Sequence, residues 1–117
     1  MTWNTDIARS LFRELFAIST VESQLIIPAY MVGIPRLPGF AEEVVRLHVE
    51  RFLEVGLVSH SDVSGVKGLA GPPKYRPTAT AESFARYAWD DHQWLSARAG
   101  LQALLDRGNA ARPGSAG

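Results

Sequence analysis

The residues best suited to proton transfer or metal ligation near neutral pH are His48, His60 and His92. None is spaced from another His, Asp or Glu in a way that marks a metal site. The run Asp90-Asp91-His92 carries ligand types, but a helix N-cap followed by first-turn acids explains it more simply. Ser19, Ser23, Ser61 and Ser64 lack the Gly-x-Ser-x-Gly setting of an activated nucleophile. Gly65, Gly68 and Gly71 lack the lysine context and following helix start of a phosphate loop. Glu42 and Glu43 are adjacent, so on a helix they point apart and do not form a hydrolytic pair. With no cysteine, thiol catalysis, disulfides and Cys-ligated zinc are excluded. The expectation is a protein that is not an enzyme and uses no cofactor or metal.

What remains is charge. The 117 residues carry twelve Lys and Arg against twelve Asp and Glu, a net charge of zero. A strongly basic balance, the simplest sign of nucleic-acid binding, is absent. The zero is unevenly composed. Between Ser59 and Thr78, Lys67, Lys74 and Arg76 against Asp62 give +2, with His60 beside them. Between Ala41 and Val58, Arg46 and Arg51 against Glu42, Glu43, Glu50 and Glu54 give −2. The basic stretch reads as a phosphate contact or, equally, as a solvated loop with a few soluble charges.

These charges need elements to hold them. Ile7, Leu11, Phe12, Leu15, Phe16 and Ile18 fall on one half of a helical wheel, which predicts a helix over 6–18. Asn4 or Thr5 is its expected cap, and Trp3 is expected to staple its start. Ser19 and Glu22 have capping-box spacing, which predicts a short helix that meets Pro28 or restarts there. The segment Leu25–Tyr30 is more apolar than a short helix needs, and is expected in the core or lining a groove. Gly33, Pro35, Pro38 and Gly39 force a loop. A second helix is expected over 41–55, with His48 on its apolar face as a core histidine holding one hydrogen bond, or a pH sensor as the sharper alternative. Gly56 stops it. Leu57–His60 and Lys74–Thr78 read as two strands joined by a long Gly-, Ser- and Pro-rich tip. Thr80 is expected to cap a helix through Trp89; either Asp90 or Asp91 breaks it from a last helix ending near Arg107, or one long helix packs on its own domain first and on something else later. Whether 80–107 is one helix or two is left open. Residues 108–117 are expected to form a disordered tail.

The run Arg51-Phe52-Leu53-Glu54-Val55-Gly56-Leu57-Val58 looks like a winged-helix recognition helix ending in a glycine stop and a Leu-Val strand start. Gly71-Pro72-Pro73-Lys74-Tyr75-Arg76 resembles the descending wing strand of PadR-type regulators, with Thr78 where that family starts its next helix. The appended last helix is similar to those of PadR- and MarR-type repressors, which dimerise through them. The resemblance covers 41–89 well and the first 40 residues only by element order. The chain departs from the family in its acidic recognition helix, in Pro77 where leucine is usual, and in Ala81 or Glu82 where glycine is usual.

The resemblance implies a mainly α (α+β) winged helix-turn-helix fold with a two-stranded wing and an added C-terminal helix. The winged-helix domain would span 1–89 and the dimerisation helix 90–107. The implied function is a DNA-binding transcriptional regulator, a homodimer on double-stranded DNA. Its expected contacts are Lys67, Lys74, Tyr75 and Arg76 on the wing, Arg36 before the recognition helix and Arg46 on it. Trp94, Leu101, Leu104 and Leu105 would supply the dimer seam or pack on the first helix. The alternative is a protein-interaction module, a small inhibitor or adaptor, presenting Glu42, Glu43, Glu50 and Glu54 to a basic partner. The longest apolar stretch, Leu25–Ile34, contains Pro28 and Gly33 and falls short of the ~18 residues of a membrane span. The start, Met1–Asp6, lacks the basic, apolar pattern of a secretion signal. A cytoplasmic protein without membrane contact is therefore expected.

Overall fold

The computed structural model describes residues 2–20, 25–61 and 73–110. Helix α1 spans Thr5–Leu15. The Asn4 side chain caps it by accepting from the Asp6 amide at 2.8 Å. Its apolar stripe, Ile7, Ala8, Leu11, Phe12 and Leu15, is buried.

The chain then leaves the helix earlier than its periodicity predicts. Phe16 is already extended, and β1 (Phe16–Thr20) pairs antiparallel with β2 (Leu25–Pro28). Phe16 and Ile18 turn inward while Ala17 and Ser19 are exposed, the period-two alternation of a strand. Because Leu15, Phe16 and Ile18 also fit a helical face, the two periods are indistinguishable until β2 supplies a partner. Of the helix expected from Ser19 to Pro28, the described residues 19–20 and 25–28 are strand, and residues 21–24 lie outside the described residues. Ser19 lies in β1, and Leu25 and Ile26 pair with Thr20 and Ile18. Pro28 ends β2, where its missing amide costs the ladder least. The expected turn of helix over 28–32 is replaced by β3, Met31–Val32.

Helix α2 spans Glu42–Glu54. The Leu57 amide bonds the Phe52 carbonyl at 2.8 Å and the Gly56 amide bonds Leu53 at 3.3 Å, with Gly56 at φ 79°. This paired closure needs a left-handed residue, which glycine adopts without a Cβ clash. It turns the chain directly into β4 (Val58–Ser61), which pairs antiparallel with β5 (Lys74–Pro77). β3 pairs with the other edge of β5, so the sheet order is β3-β5-β4, one strand more than expected. The glycine-rich tip lies outside the described residues.

Helix α3 is Ala79–Ala85, capped by Thr78 rather than Thr80. The Thr78 hydroxyl accepts from the Ala81 amide at 3.3 Å and donates to the Gly56 carbonyl at 2.6 Å, tying the α3 start to the α2 end. After it, the Asp90 carboxylate accepts from the Gln93 amide at 2.8 Å and opens α4, Asp91–Ala110. The stretch from 80 to 107 is thus two helices with a capped break. α4 reaches three residues past Arg107, and the rest of the expected tail lies outside the described residues. The core gathers α1, α2, the sheet, α3 and α4, including Phe12, Phe52, Leu57, Tyr75, Trp94 and Leu101. The chain is a small α+β fold of four helices and two small sheets among the described residues.

Candidate nucleic-acid interface

Strand alternation sorts the β4–β5 hairpin into two faces. Lys74 and Arg76 are two residues apart on β5, so they share one face, joined there by their register partners Val32 and Ser59. Arg76 is exposed. Lys74 is half-buried, with Nζ 4.6 Å from the Tyr30 ring centroid, a cation–π contact. Tyr75 points the other way and is only 7% exposed. Its ring meets His60 edge-on at 5.6 Å. Burial pushes its phenol above the ordinary value, and the Glu50 charge adds to that. Tyr75 is therefore a core residue under the hairpin, which corrects its expected place among the contacts. Lys67 lies outside the described residues.

Arg36 is exposed and lines a cleft of about 420 Å³ with Leu37, Pro38, Gly39, Phe40 and Glu42, just ahead of α2. Arg46 is placed differently. Its guanidinium bonds both carboxylate oxygens of Glu43, and Nη1 reaches Glu50 at 2.8 Å. The Glu43 hydrogen bond, then the Glu43 and Glu50 charges, raise its pKa. An arginine held by two carboxylates brings no net positive charge to a phosphate, so Arg46 loses its expected role there. Glu42, Glu43, Glu50 and Glu54 are all exposed on α2. Glu54 also accepts from Arg51 Nη1 at 3.0 Å.

Arg51 is the functional-looking residue whose role the sequence hid. It is 1% exposed. Nε and Nη2 donate to the Leu105 carbonyl of α4 at 2.9 and 2.5 Å, and the guanidinium lies 5.2 Å from the Trp3 ring centroid. It fastens α2 to α4 and to the N-terminal segment. Its spacing was the available signal. Arg51 follows His48 by three and precedes Val55 by four, both on the apolar side.

His48 is fully buried. Its Nε2 accepts from the Asn4 amide at 2.8 Å, which makes Nδ1 the protonated nitrogen, donating to the Val44 carbonyl at 2.8 Å. Trp3 lies edge-on to it at 5.1 Å. Burial lowers its pKa, only partly offset by the Val44 bond.

The expected dimer stripe goes into the chain's own core. Trp94, Leu101 and Leu105 are 2%, 0% and 0% exposed, and Trp94 meets Phe12 edge-on at 6.1 Å. No surface is left on these three for a second chain. Leu104 is half-buried. Leu25, Ile27 and Tyr30, expected in a core or groove, are instead exposed. Among the described residues, no group of three or more His, Asp or Glu is placed to hold a metal ion, and no helix is long and apolar enough to cross a membrane. No protein-family model, curated protein or solved structure matches this chain.

Proposed function

We propose that this chain is a winged-helix protein that binds double-stranded DNA through its wing, in the manner of a transcriptional regulator. The observation that carries the reading is the sheet order β3-β5-β4, with α2 running straight into the β4–β5 hairpin and Lys74 and Arg76 on that hairpin's outer face. In a winged helix, α2 takes the recognition position and β4–β5 form the wing. Two basic side chains on one strand face track a phosphate backbone, exposed Arg36 adds positive charge, and Lys67, outside the described residues, adds another in the sequence between β4 and β5.

The acidic face of α2 shapes how such a protein binds. Its carboxylates repel phosphate, so the wing supplies the attraction and α2 stands off from the backbone. Affinity is then modest and strongly salt-dependent. The test is fluorescence anisotropy with random-sequence duplex at low salt. Binding is expected there, and Lys74→Gln with Arg76→Gln should weaken it at least ~10-fold without unfolding the chain. Binding that is undetectable at low salt, or unchanged in the double variant, overturns the reading.

A second reading rests on one specific observation, the Glu43–Arg46–Glu50 ladder on the α2 surface. It fixes two carboxylates outward on a rigid helix, a surface complementary to a basic protein. Loss of co-purifying partner on Glu42→Lys with Glu50→Lys supports that reading, and unchanged capture counts against it.

A further inference from the structure

The outward face of the three-stranded sheet carries more than its two cations. On β3, Met31 is buried while Val32 is 53% exposed, so Val32 shares the outer face with its register partner Lys74. Arg76 and its partner Ser59 lie on the same face and are exposed. Tyr30, one residue ahead of β3, joins them, since its ring holds the Lys74 ammonium 4.6 Å from its centroid. Lys74 lies over one side of that ring, and about half of the residue, 52%, remains open to solvent. None of β3, β4 and β5 carries an acidic residue. Phosphate contact accounts for the two cations. It does not account for an exposed tyrosine and valine beside them.

We infer that this sheet face binds single-stranded DNA, with an unpaired base stacked on Tyr30 and neighbouring phosphates on Lys74 and Arg76. The inference deepens the DNA-binding reading and rests on its placement of those two cations at phosphates. In a duplex the face of each base is covered by its neighbours in the stack, so an exposed aromatic ring finds no partner there. An unpaired base offers its π-face whatever the sequence. Charge separates this occupant from others. A basic protein would meet Lys74 and Arg76 as like charges, and an apolar one would bury them without partners. An acidic peptide would answer the cations alone. A DNA strand brings an aromatic face and a negative charge in every nucleotide, as this patch sets an aromatic ring and a positive charge side by side. The Lys74 contact also restrains the ring, which lowers the ordering cost of stacking.

The test compares two labelled single strands of equal length and charge by fluorescence anisotropy at low salt. One is oligo-dT and the other an abasic strand with the same sugar–phosphate backbone. The full chain should bind oligo-dT at least ~5-fold more tightly than the abasic strand, the low end of what one stacked base contributes. Tyr30→Ala should bring that ratio to about one, and Tyr30→Phe should keep it, because the π-face remains. The ratio is insensitive to any shift of the Lys74 ammonium in Tyr30→Ala, since both strands carry the same phosphates. Tyr30 is half exposed, and circular dichroism checks that the variants fold. Lys74→Gln with Arg76→Gln should weaken both strands together. Equal affinity of the wild type for the two strands, or a ratio that survives Tyr30→Ala, overturns the inference and leaves duplex binding by the wing standing. Failure to bind either strand overturns it as well, and duplex measured alongside shows whether the wing reading falls with it.

Discussion

Acidification tests the packing of His48. The ring holds the Asn4 amide on Nε2 and the Val44 carbonyl on Nδ1. A second proton on Nε2 would set two N–H groups against each other. It would also add a cation in a fully buried site against the Trp3 ring, which also carries the Arg51 guanidinium. The folded pKa therefore lies below the ordinary 6.5, while the unfolded chain takes its proton near 6.5. Above that value neither state is protonated, and the site contributes its full stability. As pH falls through 6.5, the unfolded state binds the proton first. Stability then drops by up to ~1.4 kcal/mol per pH unit until the folded pKa is reached. Because Asn4 caps α1, the loss is felt at that helix start. The assay is urea unfolding at a series of pH values between 8 and 5, for the wild type and His48→Gln. At the alkaline end His48→Gln should cost about 1–2 kcal/mol, two hydrogen bonds at ~1 each. Its pH curve should be flatter than the wild type's by the histidine's share. Parallel curves for the two proteins would refute the reasoning.

Other sites give independent outcomes. Arg51→Ala should cost ~2–4 kcal/mol in urea unfolding, through the lost bonds to Leu105 and the cavity left behind. Arg51→Met should recover the packing but not the bonds, at ~1–2 kcal/mol. Thr78→Ala should destabilise by ~1–2 kcal/mol by removing the α3 cap, and Thr78→Ser should restore most of it. Gly56→Ala should cost ~1 kcal/mol because position 56 is left-handed, although the space around it is open.

The legible elements were those with one dominant signal. The stripe of α1 up to Leu15, the Gly56 stop of α2 and the two strands flanking the glycine-rich tip each follow from a local rule, whereas the sequence leaves open the break that the Asp90 cap makes. Sequence and structure differ at residues 16–20 and 25–32. Phe16 and Ile18 satisfy helical and strand periods at once, and Ser19 with Glu22 imitates a cap. Only pairing with Pro28 and Ile26, eight or more residues away, decides for strands. Charge counting had a similar blind spot. A sequence tally treats Arg46 and Arg51 as two free cations. The fold holds one between Glu43 and Glu50 and buries the other against Leu105. Tyr75 looked like a contact because Lys74 and Arg76 flank it, yet strand alternation puts it on the opposite face. The α4 stripe fits a seam or a core equally well by sequence, and α1 claims it as core.

The most direct test of DNA binding by the wing is the salt dependence of duplex affinity. If Lys67, Lys74, Arg76 and Arg36 meet phosphates, the logarithm of the binding constant should fall against the logarithm of salt concentration with a slope of about −3 to −4 per chain. Arg76→Ala should make that slope shallower by about 1. A slope near zero, or one that Arg76→Ala leaves unchanged, would contradict the account.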